Sequence, residues 1–203
     1  MKHSKHYTLF LFFLLLSSCC VYSPWYRIEY INERIDERWG SNIPPNVEKY
    51  SNLYIQNAFV IVFLTAHNWT NEPEEPPDPF SLYVTVMGKK NEHDSVTIYN
   101  AEIKSNLNRK HEIVPAKTDL NNKIVETFKF PLKLFFSEST DREKYTSAHF
   151  HSSYTLNFDY KNNEKLTVII DLEVTSKSGS ERKKIIYNFI PKKESGWLSC
   201  WTT

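Results

Sequence analysis

Glycine is scarce in this sequence, and its scarcity excludes the common nucleotide-binding motifs. The chain contains only Gly40, Gly88, Gly179 and Gly196, and no two of them are close together. A loop that wraps a phosphate group needs several glycines, because they let the backbone approach the ligand closely. The sequence therefore predicts neither a Walker-type nor a dinucleotide-binding site. The Gly-x-Ser-x-Gly motif of many hydrolases is absent as well.

An excess of charge of either sign is also lacking. The chain has 25 basic and 24 acidic residues, which gives a formal net charge of +1. Recognition of nucleic acid normally requires a basic face that neutralises phosphates. We therefore expect no nucleic-acid partner.

No apolar run is long enough to cross a bilayer as a helix, which takes roughly 20 residues. The octet Leu9–Leu16 is short, and Lys2 and Lys5 precede it. These features fit the apolar centre of a secretory signal. The next residues, Leu16-Ser17-Ser18-Cys19, resemble the lipobox of bacterial lipoproteins, in which an aliphatic residue and two small residues precede the cysteine that is acylated.

The lipoprotein resemblance covers residues 1–19 and implies a lipid anchor on Cys19. Residues 1–18 would then be removed as a signal peptide, which lowers the net charge from +1 to −1 because two lysines are lost. Cys20 stands where an aspartate would retain such a protein at the inner membrane, so the resemblance implies the outer membrane. The register that uses Cys20 instead would put Ser17 in the aliphatic position. A cleaved ordinary secretion signal remains the alternative.

Only one further cysteine, Cys200, follows this pair. In an oxidising compartment it could form a disulfide with Cys20. A bridge that closes so long a loop could stabilise the fold by roughly 4–5 kcal/mol. In the alternative interpretation, both thiols stay free or pair with another chain.

The remaining sequence predicts an all-β protein. Aromatic residues make up 15% of the chain, and with abundant Val, Ile and Thr they favour strands. Leu166 to Val174 and Ile185 to Phe189 alternate apolar and polar residues around a turn at Gly179, which predicts a hairpin. Further strands are predicted at Leu53–Ala66, Phe80–Met87, Ser95–Ile103 and Ile124–Phe136, the last interrupted by Pro131.

These patterns predict an antiparallel β-sandwich of immunoglobulin-like general shape with seven to eight strands. The Cys…Trp…Cys spacing of true immunoglobulin domains is absent. We assign residues 19–46 to an anchor and tether segment and residues 47–203 to a single sandwich domain. Within the tether, Ile28, Ile31 and Ile35 recur at helical spacing and favour a short helix in Arg27–Arg38. The alternation of Tyr26, Ile28 and Tyr30 favours a strand instead.

An acidic, proline-rich loop is predicted at residues 67–79, since prolines cannot donate to a strand ladder and acids resist burial. Long loops often carry function, and this one is a candidate binding loop. Its candidate residues are Asn71, Glu72, Glu74, Glu75 and Asp78. The regular acid spacing of an EF-hand calcium loop is missing.

His149 and His151 form the main constellation that could carry chemistry. Two residues apart on a strand, they would point to the same face, as a pair of metal ligands requires. The opposite face carries Phe150, so the histidines belong to the polar side of a half-buried strand. No recognised spacing supplies a third and a fourth ligand. We therefore predict a solvated strand face and no metal or other cofactor.

The sequence thus favours a lipid-anchored, non-enzymatic protein of the bacterial envelope that binds another envelope protein. It could be an accessory factor of an assembly or an immunity-type lipoprotein. Binding would use either pairing along a sheet edge or the acidic loop. The alternatives are a metal-dependent envelope hydrolase that uses His149 and His151, and a passive structural lipoprotein.

The anchor assignment is tested by Cys19→Ala. We expect this change to abolish incorporation of a labelled acyl chain and to release the protein from membranes, because the thiol that carries the lipid is gone. Cys20→Ala is the matched control and should stay acylated. Unchanged acylation of Cys19→Ala, measured by metabolic labelling, would refute the assignment.

Overall fold

The computed structural model describes residues 23–32, 50–66, 80–118, 123–138, 145–152, 158–159 and 162–198. These residues form an all-β, antiparallel fold, as the sequence predicts. The strands are β1 (Ser23–Asn32), β2 (Tyr54–Ile55), β3 (Ala58–Ala66), β4 (Phe80–Lys89), β5 (His93–Ser105), β6 (Lys110–His111), β7 (Ala116–Thr118), β8 (Ile124–Thr127), β9 (Leu132–Phe135), β10 (Ser137–Glu138), β11 (Tyr145–His151), β12 (Leu166–Ser176) and β13 (Gly179–Leu198). They are more numerous than the seven to eight predicted, because several have only two to four residues.

Helical structure is confined, in the described part of the chain, to one 3-10 turn at Ser51–Leu53. The described residues contain no helix that is long and apolar enough to span a bilayer.

The hairpin formed by β12 and β13 is confirmed and lies at the centre of the fold. Leu166 pairs with Phe189 at its open end, and Ser176 pairs with Gly179 at the turn. Gly179 has a φ of +133°, which residues with a β-carbon rarely adopt. Every second residue from Leu166 to Val174 is at most 1% exposed, because alternate side chains of a strand point into the core.

The two layers of the sandwich share strands at one side. The strand order is β10-β11-β4-β3-β1-β13-β12-β5-β6, with β2 paired to β3 and β9 paired to β5. The first part of β13 pairs with β12 as far as Phe189, and its second part pairs with β1 from Phe189 to Leu198. In turn β1 joins β3 at one position, where Tyr30 lies opposite Leu64. One long strand therefore belongs to both layers.

The other side is closed by residues 132–138. Here β9 pairs with β5 in one layer, and β10 pairs with β11 in the other. Between the layers, the buried Tyr187 hydroxyl donates a hydrogen bond of 2.5 Å to the carbonyl oxygen of Val60. The sandwich thus resembles a flattened barrel in which the chain covers both open sides.

A β-bulge keeps the core side of β5 apolar. Asp171 lies opposite Asn100 and Leu172 opposite Ile98, so Tyr99 is an extra residue in β5. Ile98 and Ala101 are both buried although they are three positions apart, an odd number that would put them on opposite faces of a regular strand. Without the bulge, one of them would point to the solvent face.

The predicted strand Leu53–Ala66 is two strands. Gln56 and Asn57 both have positive φ, at 47° and 60°, and they form a two-residue turn between β2 and β3. Positive φ at both central positions matches the twist of a hairpin, and asparagine tolerates it well. Asn57 indicates the turn, but the long apolar stretch around it favours a single strand in the sequence.

The prediction of a helix in Arg27–Arg38 is wrong for residues 27–32, which belong to β1. The two-residue alternation of Tyr26, Ile28 and Tyr30 outweighs the helical spacing, because the second half of β13 offers β1 ten residue positions for pairing. Residues 33–38 lie outside the described part of the chain. Residues 23–32, assigned above to the tether, are thus part of the sheet.

The predicted strand Ile124–Phe136 is divided as well. It contains β8 and β9, and the Phe130–Pro131 bond between them is cis. Proline cannot donate to a ladder, so residues 128–131 connect two pairings. β8 pairs with β7, whereas β9 pairs with β5.

Gly88 and the buried His93 provide a test of the packing at the β4–β5 end. A β-carbon on Gly88 would lie 2.4 Å from Nδ1 of His93. The ring is held there because its Nε2 donates a 2.7 Å hydrogen bond to the carbonyl oxygen of Gln56. We expect Gly88→Ala to lower the free energy of unfolding by about 1–3 kcal/mol, as overpacking does.

The double variant Gly88→Ala with His93→Ala supplies the control. It should be destabilised by less than the sum of the two single changes, because the new methyl group no longer meets the ring. Strictly additive values in urea unfolding would show that the two residues do not oppose each other.

Candidate functional site

The outer face of β3, β4 and β11 contains both predicted histidines. In β11, Ser147, His149 and His151 follow one another on this face, and across the ladder His149 lies opposite Thr85 and His151 opposite Tyr83. His149 is exposed and His151 half-buried, while the intervening Phe150 is 2% exposed. The prediction that the histidines share the polar side of a half-buried strand is therefore confirmed.

Both ring nitrogens of His149 have hydroxyl partners. Its Nδ1 lies 3.1 Å from Oγ1 of Thr85, and its Nε2 lies 2.8 Å from Oγ of Ser147. The ring of His151 stacks on Tyr83 with centroids 4.3 Å apart. A metal ion on His149 would have to displace one of these hydroxyl contacts. Among the residues that the structure describes, no group of three or more His, Cys, Asp and Glu is placed to hold a metal ion.

Ser147, His149 and Thr85 have the pairwise contacts of a nucleophile, a base and an orienting group. A substrate cannot reach the Ser147 hydroxyl as it reaches a catalytic nucleophile, because Ser147 is only 8% exposed. It pairs with Ser137 on one side and Met87 on the other, at the centre of a three-strand ladder. The two hydroxyl contacts fix the orientation of the exposed imidazole of His149.

A second polar cluster surrounds Glu164, which is fully buried at 0% exposure. The Ser105 hydroxyl donates a hydrogen bond to one carboxylate oxygen, and the Asp159 N–H donates to the other at 2.5 Å. The Nε2 atom of His111 lies 3.5 Å from the first oxygen. A carboxylate is buried at acceptable cost only with such partners. Sequence reasoning missed this cluster, since a glutamate just before a strand reads as a solvated turn residue.

Aromatic rings enclose the Glu164 cluster. Tyr30 packs edge-to-face on Phe80 and Phe158, with centroids 5.0 Å and 5.1 Å apart. Burial, together with the negative charges of Glu164 and Asp159, raises the pKa of the Tyr30 hydroxyl well above its ordinary value. The phenol therefore stays protonated.

The order of contacts in the cluster argues against activation of a nucleophile. In a serine hydrolase, the serine contacts the imidazole and the carboxylate orients that imidazole. Here Ser105 donates directly to Glu164, and its oxygen also accepts a 3.0 Å hydrogen bond from the N–H of Leu107. Arg109 pairs with Asp159 at 3.1 Å. Glu164 therefore fastens the turn before β12 to β5 and β6.

Large apolar side chains are exposed mainly in one stretch of the chain. Of the five such side chains among the described residues, three lie between positions 124 and 135: Ile124 at 44%, Val125 at 61% and Phe135 at 70% exposure. Val125 is the extra residue of a bulge in β8, between the pairs that Ile124 and Glu126 form with β7. Lys133 places its Nζ atom 5.5 Å from the centre of the Phe135 ring.

The remaining sequence-predicted sites lie outside the described residues. These are the lipidation and disulfide positions Cys19, Cys20 and Cys200, and the loop residues Asn71, Glu72, Glu74, Glu75 and Asp78. No protein-family model, curated protein or solved structure matches this chain.

The structural role of Glu164 is tested by Glu164→Gln. The amide keeps the shape but turns an NH₂ group toward groups that themselves donate, so buried donors lose their acceptor. We expect a loss of about 1–3 kcal/mol in the free energy of unfolding. Glu102→Gln, at an exposed position of β5, should change it by less than about 0.5 kcal/mol. Equal effects of the two variants in urea unfolding would show that Glu164 does not fasten the turn before β12.

Proposed function

We propose that this chain is a lipid-anchored lipoprotein of the bacterial outer membrane whose β-sandwich is a non-catalytic protein-binding module. The observation that supports binding is the exposure of large apolar side chains, Phe135 on β9 and Ile124 and Val125 on β8. The buried centre of a protein interface is rich in apolar and aromatic side chains. An accessory factor of an envelope assembly and an immunity-type protein both suit this description.

Phe135 lies far from the anchored end of the chain. Phe135 pairs with Ser95, Ser95 with Thr175, and Thr175 with Ser180, so these four residues form one row across the sheet, near the turn of the central hairpin. From Ser180 to Leu198, β13 follows roughly 60 Å of strand contour. The row therefore belongs to the end of the sandwich that a partner in the envelope space can reach.

The chain ends support the anchor and the disulfide as parts of the same proposal. Ser23 pairs with Leu198. In sequence, Cys20 is three residues before the first of these and Cys200 is two residues after the second. Short connections on both strands keep the two cysteines within reach of each other, so the proposal includes a disulfide between them.

The binding surface is tested by the double variant Val125→Glu with Phe135→Glu. Charges at two exposed apolar positions should weaken capture of the partner by on the order of 30-fold, which corresponds to loss of one strong contact. The measurement is crosslinking of the anchored protein in its native envelope, followed by quantitative mass spectrometry.

Ile186→Glu is the matched control, because Ile186 is 54% exposed on β13. It should capture the partner as the unaltered protein does. If all three proteins capture the same partner equally, neither Val125 nor Phe135 lies at the contact. If none captures a partner, the binding function itself is wrong.

A further inference from the structure

We propose that the two-stranded ribbon formed by β1 and β13 contacts the lipid–water interface of the membrane. The contact is at the distal end of the ribbon, the end farthest from the sandwich. The ribbon consists of residues 23–29 and 192–198. This inference rests on the proposed lipid anchor at Cys19 and adds a second contact with the same bilayer. It is argued from backbone register, chain length and the residue types that the register brings together.

The ribbon continues beyond the other strands that the structure describes. Tyr30 lies opposite Leu64, so the antiparallel register assigns Ile28 to the level of Ala66, the last residue of β3. Residues 23–27 therefore extend roughly 17 Å past the end of β3. Among the described strands, β1 is the only partner of residues 192–198.

The length of the chain before β1 limits where the ribbon can be. Only three residues separate Cys19 from Ser23. Four residue steps span at most roughly 14 Å when fully extended. A lipid on Cys19 therefore keeps the paired ends Ser23 and Leu198 beside the bilayer surface. The tether is a few residues long, and not the 19–46 segment that the sequence suggested.

The residue types at this end match the interface. Trp25, Tyr26 and Trp197 lie within four register positions of the distal end. Tryptophan and tyrosine are enriched where the membrane meets water, because their rings combine an apolar body with a polar group. Toward the sandwich follow the basic residues Arg27, Lys192 and Lys193 and the acidic residues Glu29 and Glu194, a net charge of +1 (3 − 2), and the phosphates of anionic lipids favour an excess of positive charge.

The ribbon has features that disfavour pairing with another protein strand. Pro24 has no N–H to donate to an added strand. Charged residues follow it in β1 and lie opposite in β13, and charged side chains at a sheet edge disfavour the addition of a strand. In the register, Arg27 is opposite Glu194 and Glu29 is opposite Lys192, and opposite charges in these positions favour the ribbon. An isolated two-stranded ribbon is only marginally stable in water, so a bilayer contact at its distal end would also steady it.

The test introduces the photoreactive residue benzoylphenylalanine into the full chain in its native envelope. Tyr26 is replaced in one protein, Ile186 in a second and Phe135 in a third. After irradiation, mass spectrometry quantifies phospholipid adducts and protein adducts on each. We expect a several-fold excess of phospholipid adducts at position 26 over both controls, because only that position lies at the bilayer.

Parallel metabolic labelling with an alkyne-tagged fatty acid separates this inference from the anchor. If acylation is present and position 26 gives no excess of lipid adducts, the ribbon contact is wrong and the anchor stands. A protein adduct at position 26, from another protein or a second copy of this chain, would also overturn the contact. Lipid adducts at position 26 without acylation would leave the ribbon contact standing and refute the anchor.

Discussion

The fold depends on one strand that serves both layers. β13 pairs with β12 up to Phe189 and with β1 from that residue onward. Because its first part is fixed by the central hairpin, the direction of its second part, and with it the position of β1, is fixed as well. The hydrogen bond from Tyr187 to Val60 then sets the spacing between this strand and the opposite layer. The position of β13 therefore determines the positions of β12 and β1 and the separation of the two layers.

The two polar clusters serve different purposes. The contacts of Glu164 are buried, and each replaces hydration that the carboxylate has lost, so the cluster fixes the turn before β12. The contacts of His149 lie at the surface, where Ser147 and Thr85 hold the ring in one orientation. Neither arrangement presents an accessible nucleophile beside a base. Neither of these two clusters therefore has the geometry of a nucleophilic catalytic site.

The sequence predicts the fold class because its strongest signal is local. Alternating apolar residues in β12 and the turn glycine between β12 and β13 determine the hairpin without reference to distant residues. The pairing of strands depends on residues far apart in sequence, and the wrong predictions concern such pairings. Isoleucine spacing favours a helix in Arg27–Arg38, but the half of β13 that extends past β12 pairs with Ser23–Asn32 and makes that segment a strand.

The candidate site was predictable only in part, for similar reasons. The alternation around Phe150 places His149 and His151 on one face, but their partners Thr85 and Tyr83 come from another strand. Glu164 gave no signal, because a buried carboxylate is recognised only from what surrounds it. The exposed apolar residues of β8 and β9 were read as an ordinary strand, since a sequence does not show which apolar residues remain in solvent.

The pairing of β1 with β13 also has a mechanical consequence. The start of β1 is the end of the sheet nearest to Cys19 in sequence, and the body of the sandwich holds β13. Tension along the chain at Ser23 would pull the two strands past each other along their length. Since the hydrogen bonds of an antiparallel pair lie perpendicular to the strands, the ten residue pairs would share this load together. The end of the sheet nearest to Cys19 in sequence is thus joined to the sandwich in shear, the geometry in which paired strands resist force best.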